Sequence, residues 1–135
     1  MTHIARVNMV LALSISIGCG GDEPTTTTQD VRFVLELTAP SGASGALLFE
    51  VAGGAVSDLR PLSSSGGQIF FRDVGGSTVR VAFVSTIAAG GLLSFRPTEG
   101  AQASDYSATV LEVAGLDNSL ESTSGYSLAV VRQGG

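Results

Sequence analysis

Few side chains in this sequence can carry out nucleophilic or acid–base chemistry. The 135-residue chain has one His, His3, one Cys, Cys19, and no Lys. Ser-His-Asp and Cys-His arrangements need an imidazole base, a Schiff base needs Lys, and zinc sites draw heavily on His and Cys. The motifs G-x-G-x-x-G and G-x-S-x-G do not occur either. These absences argue against the common classes of enzyme.

Carboxylate chemistry is what the remaining residue types allow. Paired carboxylates hydrolyse glycosides without His, but the acids between residues 31 and 133 are scattered: Glu36, Glu50, Asp58, Asp73, Glu99, Asp105, Glu112, Asp117 and Glu121. None forms a recognisable pair beside an aromatic platform, so a carboxylate-dependent hydrolase is a minor alternative and we expect no enzymatic activity. The net charge of −5 argues against a nucleic-acid partner, because phosphates require a basic face.

The N-terminal residues have the order of a secretory signal peptide. Residues 1–8 contain His3 and Arg6 but no acid, and an apolar run continues to Ile17. As a helix, residues 7–17 would span about 16 Å, whereas the hydrocarbon core of a bilayer is about 30 Å thick. The length therefore favours a signal peptide over a transmembrane span.

The end of this run, Ile17-Gly18-Cys19, resembles the lipobox of bacterial lipoproteins, in which a small residue precedes a lipidated Cys. The resemblance implies cleavage between Gly18 and Cys19 and attachment of lipid, including palmitate-type acyl chains, to Cys19. Gly20 in the next position implies sorting to the outer membrane, with the domain periplasmic or surface-exposed. An ordinary signal peptide cut nearby, which would leave a free thiol, is the alternative.

Three segments follow from this interpretation. Residues 1–18 are the predicted signal peptide, residues 19–30 are the lipidated Cys and a flexible linker, and residues 31–133 form the folded domain. The linker has almost no apolar side chain, so burial cannot offset the entropy lost on ordering it. After cleavage, six Arg would remain against twelve acidic residues, with no His and no Lys.

The folded segment alternates apolar and polar residues with a period of two, which is typical of half-buried strands. Gly-Gly doublets at 53–54, 66–67, 75–76 and 90–91 separate these runs and predict turns. The predicted strands are residues 31–37, 46–51, 68–74, 78–85, 92–96, 106–114 and 126–132. Residues 115–123 form at most one short helical turn. We therefore predict an all-β, immunoglobulin-like antiparallel sandwich of about seven to eight strands, preceded by a signal-peptide helix and a disordered tether.

The inward positions of these strands give a predicted core. It consists of Phe33, Leu35, Leu47, Phe49, Val79, Val81, Phe83, Leu93, Phe95, Val110, Leu128 and Val130.

Segments 45–51, 79–83, 91–95 and 125–130 resemble the strands of the cohesin-like group of bacterial β-sandwiches. This resemblance implies a non-catalytic module that binds a protein or a carbohydrate. The Asp-Pro that often follows the second cohesin strand is missing after Val51, so no binding residue is carried over.

Two tyrosines and one acidic turn are the remaining candidate sites. Tyr106 and Tyr126 are candidates for a binding surface at strand ends; the alternative is core packing with a satisfied hydroxyl, and for Tyr106 a lock similar to a tyrosine corner. Asp117, Asn118 and Glu121 offer oxygen ligands but lack the spacing of a calcium loop, which favours a turn followed by a frayed helix cap. No metal and no cofactor are expected.

The sequence thus predicts a lipid-anchored protein of the cell envelope, attached to the membrane through Cys19. Its domain is expected to be a non-catalytic binding or interaction module with a protein or polysaccharide partner. A structural or assembly-associated envelope lipoprotein without a small ligand is the alternative.

Overall fold

The computed structural model describes residues 30–62 and 64–134. The predicted signal peptide, Gly18 and Cys19 lie outside the described residues. The strands are β1 Phe33–Thr38, β2 Ser44–Ala52, β3 Val56–Pro61, β4 Gln68–Gly75, β5 Thr78–Ile87, β6 Gly90–Pro97, β7 Ser107–Gly115, β8 Leu120–Glu121 and β9 Ser127–Arg132, and a short 3₁₀ helix spans Ala103–Asp105. No helix among the described residues is long and apolar enough to cross a bilayer.

The strands form two antiparallel sheets that pack face to face. One sheet has four strands in the order β3-β6-β1-β9, and the other has five in the order β4-β5-β2-β7-β8. A single apolar core fills the space between them. The prediction of an all-β antiparallel sandwich is therefore confirmed.

Strict alternation produces the core because successive side chains of a strand point to opposite faces of the sheet. In β1, Phe33, Leu35 and Leu37 are buried whereas Glu36 is exposed. In β2 and β5, the inward residues include Leu47, Phe49, Val51, Val81 and Phe83, each at most 1% exposed.

Alternation predicts that Leu93 is buried, but it does not predict that its neighbour Leu92 is buried as well. Leu92 and Leu93 are consecutive and both buried. The pairing of β1 with β6 shifts register between Leu35 and Glu36, so that Leu35 lies opposite Leu93 while Glu36 lies opposite Gly91. This β-bulge leaves Leu92 as the extra residue.

The structure differs from the predicted elements in three places. It contains β3 and β8, which the sequence pattern does not show, and residues 116–121, within the segment predicted to form at most one helical turn, form a turn and the two-residue β8 without helix. Val110, Leu128 and Val130 are half-buried at the margin of the core, because β7 and β9 lie towards one side of the sandwich.

Candidate interaction surface

Tyr106 locks one end of the sandwich. Its ring is buried and contacts Phe33 and Phe95 edge-on, with centroid distances of 5.6 and 5.3 Å. Its hydroxyl donates a hydrogen bond to the carbonyl of Ala55 at 2.8 Å and accepts one from the N–H of Thr98 at 2.9 Å. Core packing with a satisfied hydroxyl is therefore the correct interpretation of Tyr106.

Tyr126 holds the opposite end in a similar way. Its hydroxyl lies 2.6 Å from the buried Ser44 hydroxyl and 3.4 Å from the Glu121 carboxylate. The ring is half-buried and packs against the core. Both tyrosines thus connect loops to the core, and neither forms an exposed aromatic platform.

The acidic turn after β7 has local bonding partners of its own. Asn118 has a φ of 63°, a left-handed conformation that Asn tolerates well. The Asp117 carboxylate accepts hydrogen bonds from the Ser119 hydroxyl at 2.6 Å and from its N–H at 3.0 Å, and these bonds hold the pKa of Asp117 below its ordinary value. Within the described part of the chain, no group of three or more His, Cys, Asp or Glu side chains is arranged to hold a metal ion.

A cluster of charges on the outer face of the four-stranded sheet was missed by sequence reasoning. Arg32, whose side chain is only 11% exposed, bonds the Asp58 carboxylate at 2.7 Å and the Asp58 carbonyl at 2.6 Å. Arg60 bonds the other carboxylate oxygen at 2.8 Å. Hydrogen bonds from the Arg32 and Arg60 guanidinium groups lower the pKa of Asp58. Since Asp58 has a φ of 48° at a register shift of β3, this cluster fixes an irregular edge strand.

An open groove of about 1270 Å³ lies at the Tyr106 end, beside Arg96 and Arg132. Its polar side chains are largely engaged within the protein. Arg96 pairs with Asp30 at 3.0 Å, and the Thr98 hydroxyl accepts the N–H of Ala55 at 3.0 Å. Gln102 belongs to the capping box of the 3₁₀ helix. Asp30, Arg96 and Thr98 are therefore already bonded within the protein.

The most unusual surface is strand β4. Seven of its eight residues are exposed, including Phe70 and Phe71, each 59% exposed. Phe71 lies opposite Val81, on the inward face, where β4 extends beyond the smaller sheet; Phe70 lies opposite Ala82, on the outward face. Aromatic rings are normally buried, so this exposed pair makes β4 the candidate interaction surface.

The outward face beside Phe70 is also apolar. Residues that lie opposite one another on neighbouring strands form a row across the five-stranded sheet. One such row begins at Gln68 and continues through Val84, Ala46 and Ala114 to Leu120. Val84 and Leu120 are exposed large apolar side chains. An antiparallel sheet with one solvated face normally alternates apolar inward and polar outward residues, so this row departs from that rule.

A strip of charge lies on the other side of Phe70 from the apolar row. Arg72 of β4 lies directly opposite Arg80 of β5. The guanidinium of Arg80 is bound by the Glu50 carboxylate at 2.5 and 2.9 Å. Within residues 30–62 and 64–134, Arg72 forms no ion pair. Strand β4 thus combines exposed aromatic side chains with a cation that has no ion-pair partner among the described residues.

Comparison with protein-family models, with curated proteins and with solved structures finds no match to this chain. The cohesin-like resemblance and the lipobox therefore stay predictions from the sequence. Strand β4 was predicted as residues 68–74, but its facing could not be assigned; the doublet Phe70-Phe71 was the signal that one large apolar side chain must point outward.

Proposed function

We propose that this chain is a lipid-anchored protein of the cell envelope whose sandwich domain is a non-catalytic module for binding a protein partner. The exposed pair Phe70 and Phe71 on edge strand β4 is the observation that supports binding most directly. The sequence Ile17-Gly18-Cys19 supports the anchor, with the lipid on Cys19 and the outer membrane as its destination.

A protein fits the aromatic pair better than a polysaccharide does. Sugars stack on aromatic rings that share one face, whereas Phe70 and Phe71 point to opposite faces of the sheet. A polypeptide that runs along the edge of β4 can contact both rings.

The bonding of the carboxylates supports a non-catalytic role. Asp58 is held by arginines, Glu50 by Arg80 and Asp117 by Ser119. Asp73 and Asp105 accept backbone N–H groups of Gly75 and Gln102. These acids stabilise turns and strand pairs, and a hydrolase would need two of them free and facing each other.

The anchor is tested by growing cells that express the full chain with radiolabelled palmitate. We expect label in the wild-type protein, which should fractionate with membranes, and no label in the Cys19→Ala variant. A Cys19→Ala protein that is labelled as strongly as the wild type would refute the anchor.

The binding surface is tested by placing a photoactivatable phenylalanine analogue at position 70 of the full chain in cells. Position 36, on the exposed side of the four-stranded sheet, is the matched control. We expect a discrete light-dependent protein adduct from position 70 and none from position 36. Equal adducts from both positions, or none from either, would contradict a binding role for this surface.

A further inference from the structure

Three of the four edge strands in the described residues have features that discourage the addition of another strand. Strand β3 carries the register shift at Asp58 and ends at Pro61, and bulges and prolines discourage strand addition. Strand β8 has only two residues. Strand β9 lies where the two sheets converge, since Cα atoms of β7 and β9 approach within 8 Å, and it also contacts the 3₁₀ helix.

Strand β4 pairs with β5 in regular register over residues 68–73, and its own register shift, between Asp73 and Gly75, lies at its C-terminal end. It is eight residues long, contains no Pro and no Lys, and pairs only with β5. Every second backbone N–H and C=O of such a strand points away from its neighbour and has no partner in the sheet. A free edge of this kind binds an extended peptide through main-chain hydrogen bonds, and the side chains decide which peptide.

A second copy of this chain, as the added strand, would give Arg72 no acidic partner. Two copies related by a two-fold axis pair antiparallel, and residues directly opposite each other share a face. Arg72 would then face one of the outward side chains of β4, which are Gln68, Phe70, Arg72 and Val74. None is acidic, because the single acid of β4, Asp73, lies opposite Val79 on the inward face.

We propose that β4 accepts an extended segment of a different protein as an added strand, with an acidic side chain opposite Arg72 and an apolar side chain beside Phe70. The proposal rests on the proposed function and specifies the partner. Arg72 supplies the selectivity, since its neighbour Arg80 is neutralised by Glu50 and Arg72 is not neutralised within the described residues.

The probe is a short capped peptide that places valine, glutamate and valine on one face and threonine on the other. Its control carries lysine in place of the glutamate. Hydrogen–deuterium exchange of the full chain in a mild detergent, followed by mass spectrometry, reports protection of each segment with and without millimolar peptide. We expect the glutamate peptide to slow exchange in residues 68–75, and the lysine peptide to bind about tenfold more weakly.

Charge reversal provides the matched variant. Arg72→Glu should lower affinity for the glutamate peptide about tenfold and restore binding of the lysine peptide. Because Arg72 is exposed, the variant should fold, which unchanged exchange in β2 and β5 verifies.

Three results would overturn the proposal: no protection of residues 68–75 by either peptide, protection that ignores the charge swap, or protection that grows with protein concentration in the absence of peptide. The last result would assign the edge to a second copy. The photo-crosslinking experiment at position 70 does not depend on these outcomes. If a partner binds at Phe70 without adding a strand, the adduct would still form, and only the strand-addition proposal would fail.

Discussion

Replacing Tyr106 with Phe should destabilise the domain through the loss of a hydroxyl alone. The ring would keep its edge-on contacts with Phe33 and Phe95. The hydroxyl joins Ala55 to Thr98 through two hydrogen bonds of 2.8 and 2.9 Å. The variant therefore measures the contribution of the hydroxyl, which connects the two loops, without removing the ring from the core.

The magnitude follows from the exposure of the two partners. Ala55 and Thr98 are exposed residues, so water can reach their backbone groups and each lost bond costs only its net value of about 1 kcal/mol. The sum is about 2 kcal/mol, which corresponds to a decrease in Tm of about 10 °C for a domain of this size.

The matched control is Tyr126→Phe. Its hydroxyl makes one short bond to Ser44, and Ser44 retains the Glu121 carboxylate at 3.5 Å as a second partner. We expect a loss of about 1 kcal/mol for this variant.

Urea unfolding of the full chain in mild detergent, followed by circular dichroism, measures both variants. The midpoint should fall while the slope with urea concentration stays constant. A loss below about 0.5 kcal/mol for Tyr106→Phe, or a larger loss for Tyr126→Phe, would refute the reasoning.

Three further perturbations have defined outcomes. Asp58→Asn keeps a residue that tolerates positive φ but should lower the urea midpoint, because Arg32 loses its anion. Hydrogen bonds from Arg32 and Arg60 lower the pKa of Asp58 in the fold, so its stabilisation is present above the unfolded pKa of about 3.9 and is lost as the pH falls through the lowered folded pKa. The midpoints of the wild type and the variant should converge below that folded pKa. Gly53→Ala should lower the free energy of unfolding by about 3 kcal/mol or more, and Gly75→Ala by about 1 kcal/mol. The difference arises because a Cβ at position 53, unlike one at position 75, would meet a backbone carbonyl of the 3₁₀ helix. Equal decreases in Tm for the two variants would contradict this. Phe70→Thr should change the free energy of unfolding by less than about 0.5 kcal/mol, since a ring that interacts with a partner contributes little to the isolated fold.

Alternation of residue types was sufficient to predict most of the sandwich. The runs around Phe33, Phe49 and Val81 repeat every two residues over one buried face, and each became a strand within a few residues of its predicted bounds. The lock at Tyr106 was also predictable, because a Tyr at the start of a strand and after a polar loop is typical of such a corner.

The elements that the sequence did not predict depend on contacts between distant residues. Strand β3 is irregular by itself, with Asp58 in a left-handed conformation and Pro61 at its end. It is fixed by Arg32, which lies just before β1. The burial of Leu92 requires a bulge that no local pattern encodes. Likewise, the exposure of Phe71 arises because the four-stranded sheet does not extend beneath it.

The position of β1 has a mechanical consequence. Strand β1 lies between β6 and β9, so tension that enters through residue 30 acts on a strand that is held by two hydrogen-bond ladders. Strand β4 is held on one side only. If the chain is tethered at its N-terminus and a bound partner pulls on β4, the partner should dissociate from β4 before β1 separates from β6 and β9. The domain would then survive repeated release of its partner.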